Sequence, residues 1–295
     1  MSNRSAFIAI VGRPNVGKST LLNALVGEKV TIVSDKPQTT RHRINGILTK
    51  GNRQYVFVDT PGMHKGRDLL NKRIDRLAVA SLKDVDVILF VVDDIMKRAE
   101  SHVIDHFRSV DVPVYLVINK IDRLKKRTEI DRIILSYLDS FEFAGVIPLS
   151  AQEHTHLDRL FELIDPHLSV GPLFYPEETK SDQSEERFMA ELIREKILFY
   201  TEQEVPHAVA VVIESLAVDE ERKQLDVSAL IVVERKTQKG ILIGKDGARL
   251  KRIGTEARRE INRLLDRRIH LDLWVKVKKD WRNRPSDLRA FGYDE

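Results

Sequence analysis

Short apolar runs punctuate the first half of the chain: AFIAIVG (6–12), RQYVFVDT (53–60), VDVILFVVD (85–93), PVYLVINK (113–120) and GVIPLS (145–150). Each has the length of one strand and is rich in β-branched residues. Apolar runs with little polar interruption suit strands covered on both faces. Between them lie stretches of helical period, 68–82, 98–109, 128–139 and 155–168. The alternation predicts βαβ units around a mostly parallel sheet, whose ligands sit beyond the carboxyl ends of the strands. In SVGPLFYPEETKSDQSEE (169–186) Gly, Pro and charge replace the apolar pattern, the mark of a linker. Beyond it the order becomes a helix from about 185 to 203, two strands, two helices and the final strand IHLDLWVKV, a smaller α+β domain. The expected division is a domain over 1–172, a linker over 173–184 and a second domain with a C-terminal tail over 185–295. The apolar alternation of the last strand places Trp274 in the core, and Trp281 is left open.

Polar motifs end these strands. GRPNVGKST follows the first run and opens an apolar helix, with Gly12, Asn15, Val16, Gly17, Lys18, Ser19 and Thr20 in the spacing of a phosphate loop. Its glycines let backbone N–H groups approach phosphates, Lys18 reaches the β and γ oxygens, and the Ser19 hydroxyl suits Mg²⁺. DTPG follows, where Asp59 can hold Mg²⁺ and the Gly62 N–H can meet a γ-phosphate. In NKID, Asn119, Lys120 and Asp122 cap a third strand, and the Asp122 carboxylate can accept both the ring N–H and the exocyclic amine of guanine. Adenine would leave that carboxylate unpaired, so the motif selects GTP over ATP. Ser150 and Ala151 end the last run as a backbone contact to the base. Between the first two motifs, the polar segment SDKPQTTRHRI is expected to be a loop ordered by the γ-phosphate, with Thr40 as the Mg²⁺-binding hydroxyl and Thr39 as the alternative. Lys18, Thr40 and Gly62 are thus the expected catalytic contacts, and Ser19, Thr40 and Asp59 the metal ligands.

The 295 residues contain no cysteine, which excludes disulfides and cysteine zinc sites and fits a reducing compartment. No apolar run reaches the ~18 residues of a membrane span, and the first fifteen residues do not resemble a signal peptide, so a cytoplasmic protein is expected. The net charge of +4 is unevenly spread: residues 239–284 hold 15 Lys and Arg against 6 Asp and Glu.

GRPNVGKS, QTTRH, DTPGMH and NKID, followed by QEVPHAVAV and GILIGKDGARLK, resemble the Era family of bacterial ribosome-assembly GTPases over essentially the whole chain. The resemblance implies an α/β P-loop GTPase domain with a mostly parallel sheet, followed by a smaller α+β type II KH domain. It also implies GTP and GDP as ligands, and 16S rRNA near its 3′ end and the 30S subunit as partners of a monomer. Peripheral association with the inner membrane is a further expectation. The residues support the KH module independently, since Ile243 to Gly247 contain the G-x-x-G loop that clamps a nucleic-acid backbone. Gly244, Lys245, Asp246 and Gly247, with Arg249, Lys251 and Arg252 on the next helix, are the RNA-binding candidates. A competing reading is a signalling or cell-cycle switch whose basic patch meets anionic lipid; a third is an RNA adaptor with a vestigial nucleotide pocket.

Met63 stands where many GTPases carry the Gln that orients the attacking water. Slow intrinsic hydrolysis is expected, completed by a partner or an ion. Related GTPases lacking the Gln but with Asn at the position of Asn15 coordinate K⁺ beside the phosphates, which makes K⁺ the candidate ion. His64 is a candidate general base, with the γ-phosphate oxygens or the medium as the alternatives.

Overall fold

A computed structural model describes residues 2–63, 68–202 and 205–293. It divides into two compact units, one of Met1–Thr31, Thr40–Lys65 and Ile74–Asp182, the other of Ile32–Thr39, Gly66–Arg73 and Gln183–Glu295.

In the first unit, β1 (Arg4–Val11) and β4 (Val87–Val92) show why near-continuous apolar runs make central strands. Ala6, Ile8 and Ile10 with Val87, Leu89 and Val91 enter one core cluster, while Ala9 and Val11 with Ile88, Phe90 and Val92 enter another on the opposite face. Successive side chains point to opposite faces of a strand, so both faces must be covered. Helices α1 (Lys18–Val26) and α5 (Leu157–Ile164) cover the first. Helices α3 (Arg98–Phe107) and α4 (Arg127–Leu138), with the C-terminal part of α2 (Leu69–Ala80), cover the second. The sheet order is β2-β3-β1-β4-β5-β6, with β2 (Ile44–Lys50), β3 (Arg53–Asp59), β5 (Val114–Ile118) and β6 (Gly145–Pro148). It is parallel except for the β2–β3 pair and the two-residue β7 (Ser169–Val170), which runs antiparallel to β1.

β2 is absent from the sequence reading because Asn45 and Gly46 break its apolar pattern. The stretch after β7 explains how it is held. Gln54 Oε1 accepts the Phe174 and Tyr175 N–H groups, and Asp182 accepts the Asn45 N–H at 3.0 Å, so residues 173–182 pack along the β2–β3 ribbon within the first unit.

The second unit contains α6 (Glu185–Tyr200), the single-turn α7 (Val205–Ala208), β8 (Ala210–Asp219), β9 (Gln224–Val233), α8 (Lys236–Ile243), α9 (Ala248–Leu265), β10 (Ile269–Val277) and the short α10 (Pro285–Ala290). Ser184 caps α6 by accepting the Arg187 N–H. The sheet order is β10-β9-β8, and Met189, Ile193 and Ile197 of α6 share its core with Ile253, Ala257 and Ile261 of α9.

The structure corrects the reading of Trp274, which is 63% exposed on β10. Leu271, Leu273, Val275 and Val277 pack against the core, and Trp274 shares the other parity with the exposed His270, Asp272 and Lys276. The alternation runs the other way from the reading: it gives Trp274 the solvent parity. Trp281 is fully buried, stacks near Tyr293 and donates its indole N–H to the Ala208 carbonyl at 3.0 Å; with Leu288 and Tyr293 also buried, it anchors the described part of the tail on the second unit. Among the described residues, no helix is long and apolar enough to cross a membrane.

Candidate functional sites

β1 delivers the chain to the loop 12–17, and α1 begins directly after it with no side chain capping its amino end. Its first N–H groups are therefore available to phosphate oxygens, with the helix dipole favouring negative charge. Lys18 folds back over the loop, donating to the carbonyls of Gly12 and Arg13 at 3.1 and 3.0 Å. Asp59, at the end of β3, lies beside this loop. Its Oδ2 accepts from Ser19 Oγ at 2.9 Å and from Thr40 Oγ1 at 3.3 Å, and the two hydroxyls are 2.9 Å apart. Asp59 Oδ1 is buried without a hydrogen-bond partner. Oxygen donors converging from three separate segments, one of them orphaned, fit a small hard cation such as Mg²⁺. Thr39 is not in this cluster; its hydroxyl donates to the Lys36 carbonyl at 2.7 Å.

Burial pushes the Asp59 carboxyl up to about 6, opposed by Lys18 and by the Ser19 and Thr40 hydrogen bonds. Burial likewise pushes Lys18 down to about 8, with Asp59 opposing. Both charges are desolvated, as expected of groups placed for a charged ligand.

Gly62 abuts the loop so closely that a Cβ there would lie 2.7 Å from the Pro14 nitrogen. The next side chain, Met63, is buried with Ala78 and Val103 and lines a cavity of about 460 Å³ with Val79, Lys83, His102 and His106. His64 lies outside the described residues.

Asn119 ties the base-side segments together. Its amide donates to the Val16 carbonyl at 2.9 Å, and its Oδ1 accepts the Ala151 N–H at 3.0 Å. Lys120, at φ 62, donates to the Asn15 carbonyl and to Asp93 at 2.6 Å. Ser150 Oγ donates to the Asp122 carboxylate, a contact the dipeptide at 150–151 did not reveal. The phosphate loop, the cation cluster and these base-side groups therefore gather at the carboxyl ends of β1, β3, β5 and β6.

In the second unit, Gly244 ends α8 at φ +73, and a Cβ there would meet Arg249 Cβ at 2.9 Å. Gly247 opens α9 with no side-chain cap. A cleft of about 470 Å³ runs from Gly247 between α9 and β10, lined by Lys251, Gly254, Arg258, His270 and Leu273. A Cβ on Gly254 would approach Leu273 to 3.2 Å, so the glycine lets helix and strand close up. Sequence reading put Arg258 on the basic face of this helix but missed Gly254 and His270; the three- and four-residue spacing of Gly247, Lys251, Gly254 and Arg258 was the available signal for Gly254. Arg249 turns back to the Ile241 carbonyl, and Arg252 covers the ring of Tyr200 at 4.6 Å, away from the cleft.

Known proteins bear on these sites. The family model of 50S ribosome-binding GTPases matches residues 7–120, and the KH domain model matches residues 204–282. GTPase Era of Heliobacterium modesticaldum is 49% identical over 99% of this chain and 98% of its own. The Alkaliphilus oremlandii protein of the same name is 45% identical over the whole of both chains. A crystal structure of Era with MgGDPNP and nucleotides 1506–1542 of 16S ribosomal RNA superposes with a TM-score of 0.95 at 38% identity, covering 99% of this chain and 100% of that one. A variant of Aquifex aeolicus Era bound to GDP and aluminium fluoride superposes equally well.

Proposed function

Because the chain belongs to the Era family of GTPases, we propose that it is a GTP-hydrolysing switch that binds the 3′ region of small-subunit rRNA and assists 30S subunit assembly. The observation that carries this reading is the presence, in one chain, of the Ser19–Thr40–Asp59 oxygen cluster and of the G-x-x-G cleft beside α9.

Ser19, Thr40 and Asp59 would hold Mg²⁺, which when bound neutralises charge on the β and γ oxygens. Lys18 and the first N–H groups of α1 hold the phosphates, Asp122 reads guanine, and Ser150 keeps its carboxylate aligned. The Gly62 N–H meets the γ-phosphate. Met63 offers no amide to orient water, so intrinsic hydrolysis is slow, and Asn15, exposed in the phosphate loop, would hold K⁺, which would supply charge to offset the missing amide. The γ-phosphate takes the proton of the attacking water.

Residues 32–39 suggest how nucleotide state reaches RNA. Ile32 is buried in the second unit's core, the Val33 N–H donates to Glu195 at 2.9 Å, and Arg194, paired with Glu191 on α6, donates to the Thr39 carbonyl. The next residue, Thr40, reaches the cation cluster of the first unit. One peptide bond joins a residue held by α6 to one ordered by nucleotide, so RNA and GTP favour each other by linkage.

The test is the GTP hydrolysis rate in K⁺ and in Na⁺, with and without RNA copying the 3′ end of 16S rRNA, together with RNA affinity in the GTP-analogue and GDP states. Faster turnover in K⁺ and with RNA, and tighter RNA binding with the GTP analogue, are expected; equal RNA affinity in both states overturns the linkage. Peripheral membrane association would rest on charge alone, so co-sedimentation with anionic vesicles is expected to survive Gly244→Asp while RNA binding does not.

A further inference from the structure

Phe199, at the carboxyl end of α6, is 75% exposed, more than any other large hydrophobic residue described. A single exposed apolar side chain is ordinary, but this one has a particular setting. Its ring meets Tyr200 edge-on, with centroids 5.0 Å apart. The Tyr200 ring is covered by the Arg252 guanidinium at 4.6 Å, and its hydroxyl is held by Glu256 of α9. Arg259, seven residues after Arg252 and so on the same face of α9, is exposed, and Glu256 on that face is engaged by Tyr200 and Arg252.

An exposed ring paired with one tyrosine, next to a face of α9 that carries Arg252 and Arg259, lacks the apolar area of a protein interface, which buries roughly 800 Å² per partner. It does suit single-stranded nucleic acid, where a base stacks on the ring and neighbouring cations meet its phosphates. The position suits a continuing strand as well. Arg252 lies five residues after Gly247 on α9, or ~7.5 Å along the helix axis. A G-x-x-G loop clamps about four nucleotides, so a longer RNA must run on past it.

We propose that Phe199, with Tyr200 and Arg252, forms a second single-stranded RNA subsite that stacks a base flanking the segment held at Gly244–Gly247. The inference rests on reading the second unit as an RNA-binding module, and it adds a stacking position outside the cleft. It also gives Arg252 a role that its distance from the cleft leaves open.

The experiment measures fluorescence anisotropy of two labelled RNAs on the full chain: a ten-nucleotide copy of the 16S 3′ region and a four-nucleotide piece of it. Phe199→Ala is expected to weaken the ten-nucleotide RNA by roughly 5- to 100-fold, the range of losing one stacked base, and to leave the four-nucleotide RNA unchanged. Phe199→Tyr keeps the ring and should restore affinity. Unchanged binding of the longer RNA overturns the proposal, as does an equal loss for both lengths. Full RNA binding by Gly244→Asp would instead overturn the reading of the module itself. A thermal melt of Phe199→Ala matching that of the wild type excludes misfolding.

Discussion

Ser150 donates to the Asp122 carboxylate, and if Asp122 accepts two guanine donors as proposed, its plane must be fixed beforehand. Hydrogen bonds to charged groups contribute ~1.5–3 kcal/mol. Ser150→Ala should therefore weaken GTP and GDP about 10-fold or more in calorimetric titration, with no gain for ATP. Gly62→Ala forces a Cβ to within 2.7 Å of the Pro14 nitrogen and should slow hydrolysis far more than it weakens GDP binding, as single-turnover assays would show. Asp59 carries a pH signature. Its pKa of about 6 in the fold lies above the value for an unfolded chain, so the fold favours the protonated acid. That contribution is complete below about 4 and is lost as pH rises through about 6. Relative to Asp59→Asn, the ligand-free wild type should lose thermal stability across this window.

At the scale of elements, β10 and the segment after it assign opposite fates to two tryptophans. The period of two in IHLDLWVKV puts Trp274 with His270, Asp272 and Lys276, so the alternation taken to place it in the core in fact places it on the solvent side, a parity legible in the sequence. Trp281 has no such pattern around it, because its burial depends on Ala208 and Tyr293, distant or irregular partners. Trp281→Ala should cost ~3–5 kcal/mol in denaturant unfolding, as large aromatic truncations in cores do. Trp274→Ala should change stability by no more than ~0.5 kcal/mol. Helix α9 divides its functions by face: Lys251, Gly254 and Arg258 line the cleft, Ile253, Ala257 and Ile261 fill the core, and Arg252 and Glu256 meet Tyr200 of α6. Only the first two faces follow from periodicity.

For the whole molecule, the segment 32–39 matters most. It lies between two nucleotide motifs in sequence, yet it packs with the second unit through Ile32, Val33 and Thr39. Asp68 does the same from beyond the second motif, pairing at 3.0 Å with Arg282, which also holds Glu234. Ile32→Ala removes a buried anchor and should cost ~2–4 kcal/mol. It should also bring the ratio of RNA affinities in the GTP-analogue and GDP states toward one, a readout that a loss of stability alone would not move.

The sequence by itself determined what depends on consecutive residues. The phosphate loop, D-x-x-G, NKID and G-x-x-G are backbone conformations with side chains at set offsets, and the alternating apolar runs specify strands buried on both faces whatever surrounds them. Tertiary structure alone decided the pairings across distance: Thr40 rather than Thr39 beside Asp59, Ser150 on Asp122, Arg252 on Tyr200, and Ile32 in the core of the second unit. Local propensity is the same for either Thr and for any exposed Arg on a helix. The choice between them belongs to whichever distant surface removes the side chain from water.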